Sequence, residues 1–175
     1  MKLLGTTLLI LGAIVAPAGS ARADVTLKDL QVMGRALGFT EKPPTGEVVI
    51  GIVYTPGNPQ SAKEAEDVQK LIGDGLKAGA IVLKPLLVKI DEVSTATVGA
   101  YLLTEGVGAQ ASALAAAAKT KQKPCVTVDI EQVRSGACVM GIKSDPKVEI
   151  TVNKAAAADS GISFAASFRM MITEL

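Results

Sequence analysis

EVVIGIVYTPGNPQSAKEAEDVQKLIGDGL, residues 47–76, is the stretch on which the fold turns. Its first eight residues, Glu47–Tyr54, form an unbroken apolar run rich in β-branched side chains. Such a run suits a strand covered on both faces, the usual condition of a parallel sheet. Thr55-Pro56-Gly57-Asn58 then breaks the run. Asn58 is a good N-cap and Pro59 suits a first helical turn, so a helix is expected from Pro59 to about Ala78, closed by Gly79 in the left-handed region. Ala65, Val68, Ile72 and Leu76 fall on one face of that helix. Lys63, Glu64, Asp67, Lys70 and Asp74 fall on the other. The acidic residues 64, 66 and 67 are read as a solvated face. Gly51 inside the strand implies that something packs closely against it.

The alternation continues on both sides. Residues 24–46 read as a short helix, with Leu27, Leu30, Val32, Met33 and Leu37 as its stripe, stopped by Pro43-Pro44. Ala80–Val88 is a second strand, and Pro85 places part of it at a sheet edge or bulge. Lys84 within it reads as a snorkelling side chain on that edge. Val98–Thr104 is a third strand, followed by Glu105-Gly106-Val107-Gly108 and an alanine-rich helix near Ala109–Lys119. Cys125–Asp129 is a fourth. Strand and helix in alternation imply parallel strands joined by right-handed crossovers. After Cys138 the pattern changes: Cys138–Lys143 and Lys147–Val152, separated by Ser144-Asp145-Pro146, read as an antiparallel hairpin. Asn153 can cap a helix over Lys154–Asp159, and a last helix is expected over Ser163–Ile172. The fold class is therefore α/β: a three-layer, mostly parallel sheet flanked by helices, ending in an antiparallel hairpin and a C-terminal helix.

Residues 1–23 are read as a cleavable export signal. Lys2 precedes an apolar stretch from Leu3 to Val15, and Ala21-Arg22-Ala23 offers small residues for cleavage before Asp24. That leaves residues 24–175 as one domain in the periplasm. Lys2 and Arg22 leave with the signal, so the remaining Lys and Arg nearly balance the 17 acidic residues, and no basic footprint for nucleic acid remains. Trp is absent and aromatic residues make up only 3%, which removes stacking platforms for bases or sugars. The chain contains no histidine. Ser-His-Asp and Cys-His catalysis and His-ligated zinc are thereby excluded. No catalytic constellation, metal site or cofactor is expected.

Cys125 and Cys138 are the only cysteines. They form no C-x-x-C and fall short of a four-ligand zinc site. Export favours a structural disulfide between them; a redox-regulated disulfide and a pair of free thiols stay open. For ligand binding, the Thr55–Asn58 loop follows a parallel strand and precedes a helix N-terminus, where backbone N–H groups can hold an anion. The Glu105–Gly108 turn follows the third strand at the same edge. Thr55, Asn58, Thr104 and Glu105 are the candidate ligand crevice, and plain structural turns are the alternative. Asp91-Glu92 could attract a cation only weakly. Phe164, Phe168 and Met171 share one face of the expected last helix, as a partner or homodimer surface or as core.

Residues 123–171, KPCVTVDIEQVRSGACVMGIKSDPKVEITVNKAAAADSGISFAASFRMM, resemble the C-terminal signature of the YfiR-like periplasmic domain family. The positions that carry the resemblance are Val126–Asp129, Gly136, Val139–Ile142, Val148–Asn153, Ala155–Ala158 and Gly161-Ile162. The chain departs from the family where Lys42 stands in place of a Trp before Pro43. It departs again where Ser135-Gly136-Ala137-Cys138 replaces a Gly-Gly pair. The resemblance implies a non-enzymatic periplasmic regulator, typically dimeric and often disulfide-bonded. Such a regulator contacts an inner-membrane signalling protein, such as a diguanylate cyclase or a sensor kinase. A second reading comes from residues 47–76, which are similar to the first strand–helix unit of transporter-associated binding proteins. It implies a single-domain periplasmic solute-binding protein with an unknown small ligand.

Overall fold

The computed structural model describes residues 24–175; the expected export signal over residues 1–23 lies outside the described residues. The chain opens with α1 (Leu27–Leu37), begun by a capping box. The Thr26 hydroxyl accepts the Asp29 N–H, and the Asp29 carboxylate accepts the Thr26 N–H at 2.9 Å. Leu30, Met33 and Leu37 are buried, but Leu27 stands exposed at the first turn. The expected strand follows as β1 (Gly46–Tyr54) and the expected helix as α2 (Pro59–Ile72).

α2 stops six residues short of the expected Ala78. Gly73 ends it with φ of 56°, and its N–H bonds to the Gln69 carbonyl. A residue with a Cβ resists that conformation, so the apolar periodicity past Ile72 loses to backbone geometry. Leu76, expected on the helix stripe, instead begins β2 (Leu76–Ala78), which turns through Gly79-Ala80 and pairs antiparallel with β3 (Ile81–Lys89). β2 covers only Ile81–Leu83, so Pro85 lies where β3 has no second neighbour and its missing N–H costs no ladder bond. Lys84 reaches the Asp74 carbonyl at 2.7 Å and Glu47 at 3.1 Å.

The remaining elements are β4 (Ala100–Leu103), α3 (Ala111–Lys121), β5 (Cys125–Thr127), α4 (Ile130–Arg134), β6 (Met140–Lys143), β7 (Glu149–Val152), α5 (Lys154–Asp159), α6 (Ala166–Arg169) and β8 (Thr173–Glu174). They join one eight-stranded sheet in the order β2-β3-β1-β4-β5-β6-β7-β8. The strands β3, β1, β4, β5 and β6 run parallel, and β7 folds back on β6 as the expected hairpin. Helices flank this sheet, and the fold class is the one expected. The chain's progress across the sheet reverses at β1, which has β3 on one side and β4 on the other.

Two apolar layers pack against the sheet. Val48, Ile50 and Ile52 of β1 face the layer that holds Leu30, Met33, Val68 and Ile72 from α1 and α2. Val53, Tyr101, Leu103 and Leu114 of α3 form the other. Gly34 lets α1 lie directly on β2, since a Cβ there would come within 2.2 Å of the Ala78 Cβ. Gly51 makes similar room: a Cβ would meet Val98 at 3.0 Å and Tyr101 at 3.2 Å. The buried Tyr101 hydroxyl donates to the Val93 carbonyl at 2.9 Å.

α4 was not foreseen. Asp129, expected to finish a strand, instead caps it by accepting the Glu131 N–H at 2.9 Å. The C-terminal helix is also shorter than expected. Ser163 and Ala165 hydrogen-bond to Glu41 and Phe39, and Thr40 bridges Phe164. A backbone engaged in that bridge cannot begin a helix, so only Ala166–Arg169 coils before β8. Phe168 is thereby stacked on Phe39 at 4.9 Å and lies 5.4 Å from Phe164.

Cys125 and Cys138 are joined by a disulfide, with Cα atoms 4.7 Å apart and both side chains buried. It ties the start of β5 to the segment entering its neighbour β6, and α4 lies within the loop it closes. Closing a loop of 13 residues stabilises by about 3 kcal/mol in the chain-entropy model. A Cys125→Ala/Cys138→Ala variant should therefore melt about 6–12 °C lower than the parent in thermal unfolding followed by circular dichroism.

Candidate functional site

In a parallel sheet every loop that leaves the carboxyl end of a strand opens on the same edge, and ligands of such sheets bind there. The loops after β1 and β4 meet at that edge, and Thr55, Asn58, Thr104 and Glu105 come together. They close on one another as a hydrogen-bonded seam. The Thr55 N–H donates to the Ser61 hydroxyl at 3.1 Å. Ser61 and Thr104 share a buried bond of 2.8 Å, and the Thr104 hydroxyl donates to the Val53 carbonyl at 2.8 Å. With the Thr104 proton committed to Val53, the Ser61 hydroxyl is the donor in the shared bond. The relay thus runs in one direction from the loop into β1.

Asn58 completes the seam. Its Oδ1 accepts the N–H groups of Gln60 and Ser61, as an N-cap does, and its Nδ2 donates to the Gly106 carbonyl at 3.1 Å. Two of the amides expected to greet an anion are therefore satisfied from within the chain. Thr55 reaches Gln110 at 3.4 Å.

Next to this seam, beyond β4, a groove of about 780 Å³ opens along the ends of β4, β5 and β6. Glu105 forms one end. Val128, Asp129 and Ile130 follow β5; Lys143 and Ser144 follow β6; Asp24, Thr26 and Asp29 at the start of α1 form the far wall. Lys28 holds that wall to the β6–β7 loop through the Ser144 carbonyl. Several of its carboxylates have structural partners: Asp29 closes the α1 capping box, Asp129 caps α4, and Glu149 pairs with Lys147 at 2.9 Å. Among the described residues no group of three or more His, Cys, Asp or Glu is arranged to hold a metal ion. Asp91 and Glu92 lie in a single 3₁₀ turn, where Glu92 pairs with Lys89 at 3.1 Å.

Glu64 departs from the expected solvated face. Glu66 is exposed, and Asp67 is held between Lys63 and Lys70, but Glu64 turns toward the sheet edge. Its Oε2 accepts the Glu105 N–H at 2.7 Å, and its Oε1 is buried without a hydrogen-bond partner. Burial raises its pKa to about 7 against the opposing pull of the Glu105 amide, and the charges of Glu105 and Asp24 push it further up. The residue lies one helical turn after Ser61 and directly beside Ala65 of the buried stripe. That position was the one sequence signal of its inward direction.

Phe164 and Phe168 face the core, leaving Met171 of that trio exposed, next to Met170. Among the described residues no helix is long and apolar enough to cross a membrane.

Because the folded protein holds the Glu64 proton to about pH 7 and the unfolded chain releases it near 4.5, stability declines as pH rises between those values. The group is partly solvated, so the loss amounts to about 1–2 kcal/mol rather than the full linkage value. Glu64→Gln keeps the acceptor for the Glu105 amide and removes the charge. It should raise the melting temperature by about 2–8 °C at pH 8 and leave it little changed at pH 5.

No protein-family model and no curated protein matches the sequence. Solved structures that share the fold include the following two. One is an ABC domain from Streptococcus pneumonia in complex with L-Trp, with a TM-score of 0.58 and 11% identity over 84% of this chain. The other is a conserved domain protein from Vibrio cholerae, with a TM-score of 0.56 and 16% identity over 85% of this chain. This chain spans 62% and 59% of those two structures, about three fifths of their length.

Proposed function

We propose that this protein is an exported, non-catalytic domain that binds a small solute in the groove at the carboxyl edge of its sheet. The groove itself carries the reading. Its 780 Å³ falls within the roughly 300–1,000 Å³ of small-molecule sites, and it lies where ligands of open α/β sheets bind. The likeness of fold to a domain that holds L-Trp supports the same reading. The absence of histidine supports binding over catalysis, and the disulfide supports an oxidising compartment such as the periplasm.

The test is thermal unfolding of residues 24–175 in the presence of each of the twenty common amino acids, L-Trp included, followed by calorimetric titration of any hit. A true ligand at a hundred times its Kd stabilises by about 2.7 kcal/mol, which should appear as a rise of about 5–10 °C. Lys143→Trp, which places a bulky side chain in the groove, should weaken that binding at least tenfold. Binding that survives the substitution would move the site elsewhere.

The exposure of Met170 (84%) and Met171 (64%) beside the edge strand β8 favours a second reading. In this reading the chain is a divergent YfiR-like regulator whose C-terminal edge contacts an inner-membrane signalling protein or a second copy of itself. Tagged protein incubated with solubilised inner membranes should then recover one defined signalling protein. A Met170→Asp/Met171→Asp variant should recover at least tenfold less, and equal recovery by both would dismiss this edge as the contact.

A further inference from the structure

Three bonds tie α2 to the turn after β4, and they come from residues spaced three apart on one face of the helix. Asn58 donates to the Gly106 carbonyl, Ser61 bonds Thr104, and Glu64 accepts the Glu105 N–H. Two of these rungs are neutral at every ordinary pH. The third ends on a carboxyl. We propose that Glu64 is a proton-operated latch on the Glu105–Gly108 turn: protonated, it seats the turn against α2, and ionised, it loosens the turn. The latch thereby adjusts the end of the groove that Glu105 lines, and this regulatory meaning rests on the solute-binding reading above.

The geometry of the two oxygens sets the direction. Oε2 receives the Glu105 N–H, whereas Oε1 is buried with no partner. A neutral hydroxyl left unpaired in that position costs far less than an anionic oxygen left without a donor. Among the described residues, the charged groups that face Glu64 from the other elements are Glu105, on the turn itself, and Asp24, on the segment leading into α1. Both are acidic, and both make ionisation harder while the turn is closed. On its own helix, Lys63 is drawn to Asp67 and supplies no compensation at Glu64. Ionisation is relieved when the turn separates from α2 and water reaches Oε1. Thr104, buried and bonded to Val53 and Ser61, stays in place as the fixed end about which the turn moves.

The carboxyl titrates near 7 in the closed state and in the ordinary glutamate range once hydrated, so the opening equilibrium grows as pH rises between the two. The total increase should be roughly 5-fold to 30-fold.

Amide hydrogen exchange of the unliganded protein, read from pH 5.5 to 8.5 and corrected for the intrinsic exchange rate, tests this directly. In the parent, the Glu105 amide, the one that Glu64 holds, should lose at least about threefold protection across that range, while those of β1 keep theirs. In Glu64→Gln that amide should stay protected throughout. A parent whose turn shows no pH dependence, or a Glu64→Gln variant that loses protection in parallel with the parent, would overturn the latch. A carbon-13 titration of the Glu64 carboxyl in the unsubstituted protein gives an independent reading. A midpoint near 7 supports the latch, and one in the ordinary glutamate range overturns it. Neither measurement needs a solute, so failure here leaves the binding reading standing, and a protein that binds no solute leaves the latch standing.

Discussion

The parallel pairing of β1 is the constraint on which the rest of the molecule depends. It is in register with β3 along its whole length, from Gly46 opposite Ile81 to Tyr54 opposite Lys89, and with β4 from Ile50 to Val53. Ile50, Ile52 and Val53 are wholly buried, and between them they face both apolar layers. Each such side chain contributes about 1.5–3 kcal/mol of burial. Parallel neighbours cannot be joined by a tight turn, so the chain must return across the sheet. α2 makes that return before β3, and α3 makes it between β4 and β5. All the loops that leave the strand ends are thereby delivered to one edge.

Two neighbouring features of that edge have opposite characters. At the reversal between β1 and β4, side-chain hydrogen bonds fill the gap, and Thr104 is buried within it. One strand farther along, β5 ends level with β4 at Thr127, the chain turns into α4 three residues later, β6 runs on to Lys143, and the space in front of β5 remains open as the groove. The disulfide holds β5 and β6 together from the opposite end of the strands. The groove is thus framed by a closed seam on one side and by the start of α1 on the other. Glu105 belongs to both, with its amide in the seam and its residue lining the groove.

That shared residue gives Glu64 its consequence. A carboxyl on an exposed helix face would titrate as any surface glutamate does. Placed against the Glu105 amide with one oxygen buried and two acidic neighbours, it stores a proton to near neutrality. The same local geometry that closes the seam also makes its closure depend on pH.

Apart from β2, α4 and β8, the order of strands and helices, the caps at Asn58 and Asn153 and the terminal hairpin were legible in the sequence. Each rests on interactions within a few residues or on periodicities that one segment displays by itself. That Thr55, Asn58, Thr104 and Glu105 would meet could also be read, because parallel topology alone sends the loops after β1 and β4 to a common edge, but they meet as a closed seam and only Glu105 lines the groove. What α2 does beyond Ile72 was settled by Gly73 and by the chance for residues 76–78 to pair with β3, an option that helical periodicity does not register. The length of the last helix was settled by Phe164 bridging Thr40, residues far apart in the chain, and Phe168 joined the core in the same step. The inward turn of Glu64 was decided by the Glu105 amide, 41 residues away. Local propensity and pattern determine which elements form and in what order. The packing of distant segments decides where elements stop, which polar groups lose water and where the sheet edge stays open, because those free energies exist only once the segments meet.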